Sequence, residues 1–212
     1  MYVKYPRTYH LPWSQGATND DKILDNINIF VGKQVVVTEK LDGENTNMYR
    51  NYIHARSTSS LDHVSQHWTK GLHSTIRNDI PEGWRICGEN LFAKHSIYYN
   101  RLESYFYVFS IWNENNECLS WDDTEEWSKL LNLKHVPVLY KGIWNEDKIK
   151  QCYTGISILG DVQEGYVVRI INDFNYEDFS KCVAKFVRKN HVQTDTHWKF
   201  SQIECNKLIN KI

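Results

Sequence analysis

The alternation of apolar and polar residues near the N-terminal third of the chain predicts an antiparallel β-structure. Three consecutive valines lead into a strand at 34–40, and a polar–apolar alternation follows at 45–50. Asp42 and Gly43 between them are typical turn residues, so the pattern predicts a tight hairpin. A third strand at 52–55 extends this hairpin to an antiparallel meander.

The rest of the chain alternates between further strands and amphipathic helices. The run 105–112 is apolar and aromatic, as expected of a central strand covered on both faces. Apolar residues recur at helical spacing from 23 to 30, and Ser120 with Asp123 offers a capping box for a later helix. Further strands are predicted at 84–87, 137–140, 164–171 and 181–187, and helices at 20–30, 60–79, 120–133, 145–153 and 194–212.

Composition limits the function classes without selecting one. The chain has 212 residues, 41% of them hydrophobic, and a formal net charge of −1, which is typical of one soluble globular domain. No apolar run approaches the roughly 20 residues that a membrane span needs, and the N-terminus lacks the apolar core of a signal peptide. Five cysteines without a Cys-x-x-Cys pair favour reduced thiols. We therefore expect an intracellular, cytoplasmic protein with no membrane partner.

The most reactive candidate is Lys40, placed at the mouth of the predicted turn. Glu39 precedes it and Asp42 follows two residues later, so acids that can hold or accept its proton are close in sequence. A lysine that attacks phosphorus must be neutral, so we expect the pKa of Lys40 to lie below its usual value of about 10.4. The alternative is a surface hairpin with scattered charges.

His63 and His67 stand four residues apart on the predicted helix 60–79, which is a spacing that metal sites use. The residues between them include no acid, and no third ligand is close in sequence. A solvated histidine face is the favoured interpretation.

Several later stretches accompany Lys40 in a fixed order. They are 53–57 with Arg56, 86–90 with Glu89, the strand 105–112, 164–169 with Glu164, and 185–189 with Lys185. Together with 40–45 they resemble motifs I, Ia, III, IIIa, IV and V of the covalent nucleotidyltransferases, which include ATP-dependent DNA ligases, RNA ligases and mRNA capping enzymes. Within that superfamily, Lys-Leu-Asp-Gly-Glu-Asn at 40–45 is most similar to the RNA ligase 2 family, in which an asparagine closes the lysine motif. The resemblance extends from residue 35 to about 192.

The resemblance implies both a fold and an activity. The fold is an α+β nucleotidyltransferase domain, an ATP-grasp-like ligase adenylation domain with antiparallel sheets around a nucleotide cleft and flanking helices. The activity is the ATP- and Mg²⁺- or Mn²⁺-dependent joining of RNA 3′-hydroxyl and 5′-phosphate ends, in a nicked duplex or in broken strands, through a lysyl-AMP intermediate and an AMP-capped RNA end. The expected partner is RNA, bound by a monomer.

The resemblance also implies roles for individual residues. Lys40, Glu164 and Lys185 would be catalytic, as nucleophile, metal ligand and α-phosphate-binding cation. The remaining nucleotide-binding residues would be Glu39 at the adenine edge, Phe109 against the adenine ring, Glu89 at the ribose, Asn45 and Arg56 at phosphates, and Lys189 beside Lys185.

Motif V departs from the usual family pattern, which offers two lysines separated by one residue. Here the stretch reads Lys-Phe-Val-Arg-Lys at 185–189. Strand alternation would place Lys185 and Lys189 on one face, which favours Lys189 over Arg188 as the second cation.

Other members of the same superfamily remain open alternatives. A capping-type guanylyltransferase or a DNA ligase core would use the same lysine, and a non-catalytic nucleotide- or RNA-binding module would keep the fold. Only about 23 residues follow Lys189, too few for an OB-fold or a full C-terminal helical domain. We expect a single adenylyltransferase domain over 1–212, with a terminal helix at 194–212.

Overall fold

The computed structural model describes residues 2–58, 63–190 and 203–209. The strands are β1 (Tyr9–His10), β2 (Gln34–Lys40), β3 (Glu44–Tyr49), β4 (Ile53–Ala55), β5 (Arg85–Asn90), β6 (Phe106–Trp112), β7 (Glu117–Cys118), β8 (Lys134–His135), β9 (Val138–Ile143), β10 (Gly165–Ile170), β11 (Phe174–Asn175) and β12 (Val183–Val187). The helices are α1 (His67–Ile76), α2 (Trp121–Leu130), α3 (Glu146–Gln151) and α4 (Phe179–Cys182), with 3₁₀ turns at Val64–Gln66, Arg77–Asp79 and Tyr176–Asp178.

These strands form two sheets. The first has the order β1-β12-β10-β2-β9, and the second has the order β11-β7-β6-β5-β3-β4 with β8 alongside β6. The pairs β1–β12 and β6–β8 are parallel, and the other pairs are antiparallel. Within the described residues, none of the helices is both long enough and apolar enough to span a bilayer.

The predicted hairpin at Asp42 and Gly43 is wrong, because β2 and β3 belong to different sheets. β2 pairs with β10 and β9, whereas β3 pairs with β4 and β5. Of the predicted three-stranded meander, only the antiparallel pair of β3 and β4 forms. The three valines of β2 are fully buried, so this strand is a central one with partners on both edges. Residues 41–43 carry the chain from one sheet to the other.

One apolar cluster joins the two sheets beside this crossover. Val36 of β2 and Tyr107 of β6 pack with Leu41, Tyr99 and Trp121, and each of the five is at most 3% exposed. Burying a side chain of this size contributes about 1.5–3 kcal/mol. Because Leu41 directly follows Lys40, this core fixes the backbone of the lysine.

Three predicted helices agree with the structure in their central parts. α1 and its flanking 3₁₀ turns occupy the described part of 60–79, and α3 lies within 145–153. α2 lies within 120–133 and begins as expected, with the Ser120 hydroxyl accepting a hydrogen bond from the backbone N–H of Asp123. A side-chain acceptor at this position satisfies a helical N–H that has no partner within the helix.

Two other helix predictions fail in the described residues. At 20–30 the chain forms turns, because backbone bonds from His10 N to Lys22 O and from Leu24 N to His10 O align it with β1. Most of the predicted terminal helix lies outside the described residues. Its described part, 203–209, is not helical. Cys205 forms an isolated β-bridge with Ala93, and Leu208 forms another with Leu102.

Candidate active site

A cavity of about 980 Å³ lies between the two sheets at the crossover. Both sheets and the N-terminal arm line it. The predicted site residues in its wall are Glu39, Lys40, Asn45, Arg56, Glu89, Phe109 and Lys185. The topology thus brings together residues that are up to about 145 positions apart in sequence.

Lys40 ends β2 and contacts Glu164 directly. Its Nζ donates a hydrogen bond to Glu164 Oε2 at 2.6 Å. Burial by itself lowers the pKa of Lys40, but the charges of Glu164, Glu89 and Asp42 outweigh this effect and raise it above its ordinary value. The expected lowering of the pKa of Lys40 is therefore wrong for this arrangement, and Lys40 is held as an ammonium.

The acids around Lys40 are themselves crowded. Burial raises the pKa of Glu89 to about 8. The charges of Glu164 and Asp42 also raise this pKa, whereas the charge of Lys40 lowers it. Burial also raises the pKa of Glu164, although Lys40 opposes it. Glu89 Oε1 accepts a hydrogen bond from Gly43 N at 3.0 Å, which ties the acid to the crossover. Burial therefore favours the neutral form of both acids, and a bound cation would favour their ionised form.

The crossover is held by residues that the sequence patterns did not single out. The Tyr99 hydroxyl accepts a hydrogen bond from Asp42 N at 2.8 Å, and Asp42 Oδ2 accepts from Ser96 N and Ile97 N. Tyr99 N in turn donates to Asn206 Oδ1 at 2.8 Å. No periodicity or motif marks Tyr99 or Asn206, because their importance comes from contacts across 57 and 107 residues of sequence.

Lys185 faces the cavity from the middle of β12. Val167 of β10 lies opposite both Lys185 and Thr38 of β2, so the three residues form one row across the sheet. Burial and the nearby Lys40 charge lower the pKa of Lys185 to about 8. Lys185 therefore remains largely protonated at neutral pH but loses its charge in mild alkali.

The two candidates for the second motif V cation, Arg188 and Lys189, do not line the cavity. β12 ends at Val187, so the alternation that favoured Lys189 does not extend to it. The Arg188 guanidinium donates to the backbone oxygens of Lys189 and Asn190. A role for either residue stays a prediction.

Glu39 and Phe109, the two residues expected to contact adenine, both line the cavity. Glu39 Oε2 accepts a hydrogen bond from Ile158 N at 3.0 Å, whereas Oε1 is buried and has no hydrogen-bond partner in the described part of the chain. Burial raises the pKa of Glu39 in spite of hydrogen bonds from the Ser157 side chain and the Ile158 backbone. The Phe109 ring meets Tyr5 of the N-terminal arm edge-on at 5.1 Å.

Asn45 and Arg56 lie on the second sheet, facing the same cavity. Asn45 Oδ1 accepts from Asn47 Nδ2 at 2.9 Å, and the Arg56 Nε donates to the backbone oxygen of Tyr5 at 3.5 Å. His63 also lines the cavity, whereas His67 begins α1. Among the described residues no group of three His, Cys, Asp or Glu side chains is arranged as a metal site.

Comparison with known proteins gives one family and one fold. The RNA ligase family model matches residues 33–187. No curated protein sequence matches the chain. Among solved structures, the Naegleria gruberi RNA ligase with PPi is 20% identical with a TM-score of 0.59, and the match covers 88% of this chain and 61% of that one.

Two other solved structures show the same likeness. An archaeal ATP-dependent RNA ligase is 13% identical over 88% of this chain and 48% of its own, with a TM-score of 0.55. A putative ATP-dependent DNA ligase from Aquifex aeolicus is 21% identical over 76% of this chain and 45% of its own, with a TM-score of 0.52. At these identities the likeness concerns the fold, and it confirms the predicted α+β architecture with mainly antiparallel sheets. The chain spans half to three fifths of the length of the Naegleria structures.

Proposed function

The chain belongs to the RNA ligase family, and we propose that it is an ATP-dependent RNA ligase that joins 3′-hydroxyl and 5′-phosphate RNA ends. The observation that carries this proposal is the Lys40 amine, which lines the cavity together with Lys185 and Glu89 and lies 2.6 Å from the buried Glu164. A nucleophile, an adjacent proton acceptor and a separate cation are the groups that nucleotidyl transfer to a lysine needs.

In the proposed first step, Lys40 attacks the α-phosphorus of ATP. A P–N bond forms, the P–O bond to pyrophosphate breaks, and lysyl-AMP remains. The proton that Lys40 must lose can pass to Glu164 Oε2, since the two are already hydrogen-bonded. Lys185 would offset the charge on the α-phosphate oxygens, and its positive charge also disfavours the ammonium form of Lys40.

The residues present fit a hard divalent cation. Glu164 and Glu89 offer only oxygen ligands, which hard divalent cations prefer, and burial is the main cause of the raised pKa of each. Since the described residues hold no three-ligand cluster, Mg²⁺ or Mn²⁺ would be held by Glu164 together with substrate phosphates. The cation would supply Lewis-acid stabilisation of phosphate charge.

Glu39 would lie at the adenine edge, where its carboxyl can accept a hydrogen bond from the exocyclic amino group of the base. Phe109 would stack on the base and Glu89 would bind the ribose.

In the two later steps, the AMP passes to a 5′-phosphate on RNA and a 3′-hydroxyl attacks the activated end. Asn45 of β3 and Arg56, directly after β4, line the cavity and would bind the incoming phosphate. RNA as the substrate is inferred from the family.

The test is covalent labelling of the protein. The chain is incubated with radiolabelled ATP or GTP and Mg²⁺ or Mn²⁺, separated on a denaturing gel and mapped by mass spectrometry. We expect an AMP adduct on Lys40 that Lys40→Arg abolishes and the exposed Lys33→Arg retains. Sealing of nicked and broken RNA is then measured on the labelled enzyme. A label with GTP alone would favour a capping-type guanylyltransferase, and no label with either nucleotide would favour a non-catalytic module.

A further inference from the structure

Asp21 lies in the cavity wall beside Lys185, although it precedes the family-matched segment by twelve residues. Its Oδ1 is 3.9 Å from Lys185 Nζ and 3.5 Å from His10 Nε2. Only about a quarter of the Asp21 side chain and a fifth of the Lys185 side chain are exposed. The pair therefore interacts in a partly desolvated setting, where screening by water is reduced.

The carboxylate is held in place by its own segment. Thr18 donates two hydrogen bonds to Asp21 Oδ2, from its backbone N at 3.1 Å and its hydroxyl at 3.0 Å. These bonds leave Oδ1 to face the Lys185 ammonium and the His10 ring. The lowered pKa of Asp21 has the same origin: burial opposes it, but the Thr18 bonds, Lys185 and His10 outweigh burial.

The N-terminal segment is also fixed to β12 itself. His10 of β1 lies opposite Lys185 in the parallel β1–β12 pair. The His10 ring contacts the Ser14 hydroxyl at 2.7 Å, and that hydroxyl accepts a hydrogen bond from Val187 N at 2.9 Å. Asp21 and Lys185 are thus positioned by the same set of contacts.

We propose that Asp21 is a positioning residue that keeps the Lys185 ammonium charged and directed into the cleft. This inference rests on the proposed function of Lys185 as the cation on the α-phosphate. Three other charged groups face Lys185: Lys40 from β2, Arg56 after β4 and Glu164 before β10. The two cations oppose its charge, and of the two acids Asp21 supports that charge more strongly than Glu164 does.

The expected effect depends on pH in a way that a structural role would not. Lys185 has a pKa of about 8, and loss of a counter-charge about 4 Å away lowers a pKa by about one unit in a partly exposed setting. The protonated fraction of Lys185 would then fall less than about twofold at pH 7 but about fivefold at pH 8. Asp21→Asn should therefore move the alkaline limb of the self-adenylylation profile to lower pH by about one unit.

The experiment compares Asp21→Asn with Asp20→Asn, an exposed acid in the same turn. Lysine Nζ NMR titration of both proteins, with the Lys185 signal assigned through Lys185→Arg, measures the Lys185 midpoint without any need for activity. Self-adenylylation rates measured from pH 6 to 9.5 give the pH at which the rate falls on the alkaline side. If Asp21→Asn lacks a cooperative thermal transition, Thr18→Val removes one of the two bracing bonds and should give a smaller shift in the same direction.

In Asp21→Asn we expect the pH midpoint of the Lys185 titration and the pH of the alkaline limb of self-adenylylation both to be lower than in the wild-type protein. In Asp20→Asn both should stay at wild-type values. An unchanged midpoint, or an unchanged limb in an active enzyme, would overturn the inference. Absence of adenylylation in the wild-type protein would refute the proposed function instead, while the NMR titration would still decide whether Asp21 controls the charge of Lys185.

Discussion

Removing the Tyr99 hydroxyl should loosen the crossover that carries Lys40. Tyr99 is fully buried, and its oxygen accepts the backbone N–H of Asp42 at 2.8 Å. Tyr99→Phe keeps the ring in the joint core of the two sheets and deletes only this acceptor. The Asp42 N–H is then left without its partner, two residues from the nucleophile.

The size of the effect follows from the partly buried setting of this bond. A donor that loses its partner away from water costs about 1–3 kcal/mol, and partial access of water places this case at about 1–2 kcal/mol. For a chain of this length, each kcal/mol lowers Tm by about 2–4 °C. Because small displacements of a nucleophile cost much rate, we expect self-adenylylation to slow by about tenfold or more.

The assay pairs urea unfolding with single-turnover adenylylation at pH 7.5. Tyr140→Phe is the matched control, since its hydroxyl donates to Ile143 O in an exposed bond that water can replace. We expect the control to change the free energy of unfolding by less than about 0.5 kcal/mol and to leave the rate unchanged. If Tyr99→Phe behaved like Tyr140→Phe in both measurements, the hydroxyl would not hold the crossover.

Three further substitutions test the charge of the site and the packing of the fold. Glu164→Gln removes the negative charge that raises the pKa of Lys40 most, so the pKa of Lys40 should fall. Labelling of Lys40 with a small amine-reactive reagent, read by mass spectrometry, should then have its pH midpoint about 1–3 units lower than in the wild-type protein. An unchanged midpoint would contradict the Lys40–Glu164 pair. Gly165→Ala would place a Cβ against the Phe186 carbonyl oxygen between β10 and β12, so it should destabilise the fold by about 1–3 kcal/mol and abolish adenylylation. In Gly71→Ala, in α1, the added Cβ has no atom within 4 Å, so this change should stabilise the protein by about 0.5–1 kcal/mol. Thermal unfolding measures both glycine variants, and equal effects of the two changes would refute the packing argument.

The fold could be predicted well where a local signal and the tertiary structure agree. The aromatic run at 105–112 is the buried strand β6, and Ser120 caps α2 as its sequence indicates. The segment 20–30 shows the opposite case, because apolar residues at helical spacing were overridden by backbone pairing with β1. Helical periodicity reports a potential apolar face, but it does not report which partner will compete for the backbone.

The sequence by itself supplied the candidate groups of the site and their order, and the structure brings Lys40, Glu89 and Lys185 of that set into the wall of one cavity. It could not determine that residues 41–43 join two sheets, nor that Asp21 would face Lys185 from outside the motifs. Only the tertiary structure decided the charge state of Lys40, because that depends on which acids surround the amine in space. The physical reason is that electrostatic energies fall with distance through the folded protein and not along the chain, so residues 124 positions apart can set a pKa that their neighbours in sequence do not.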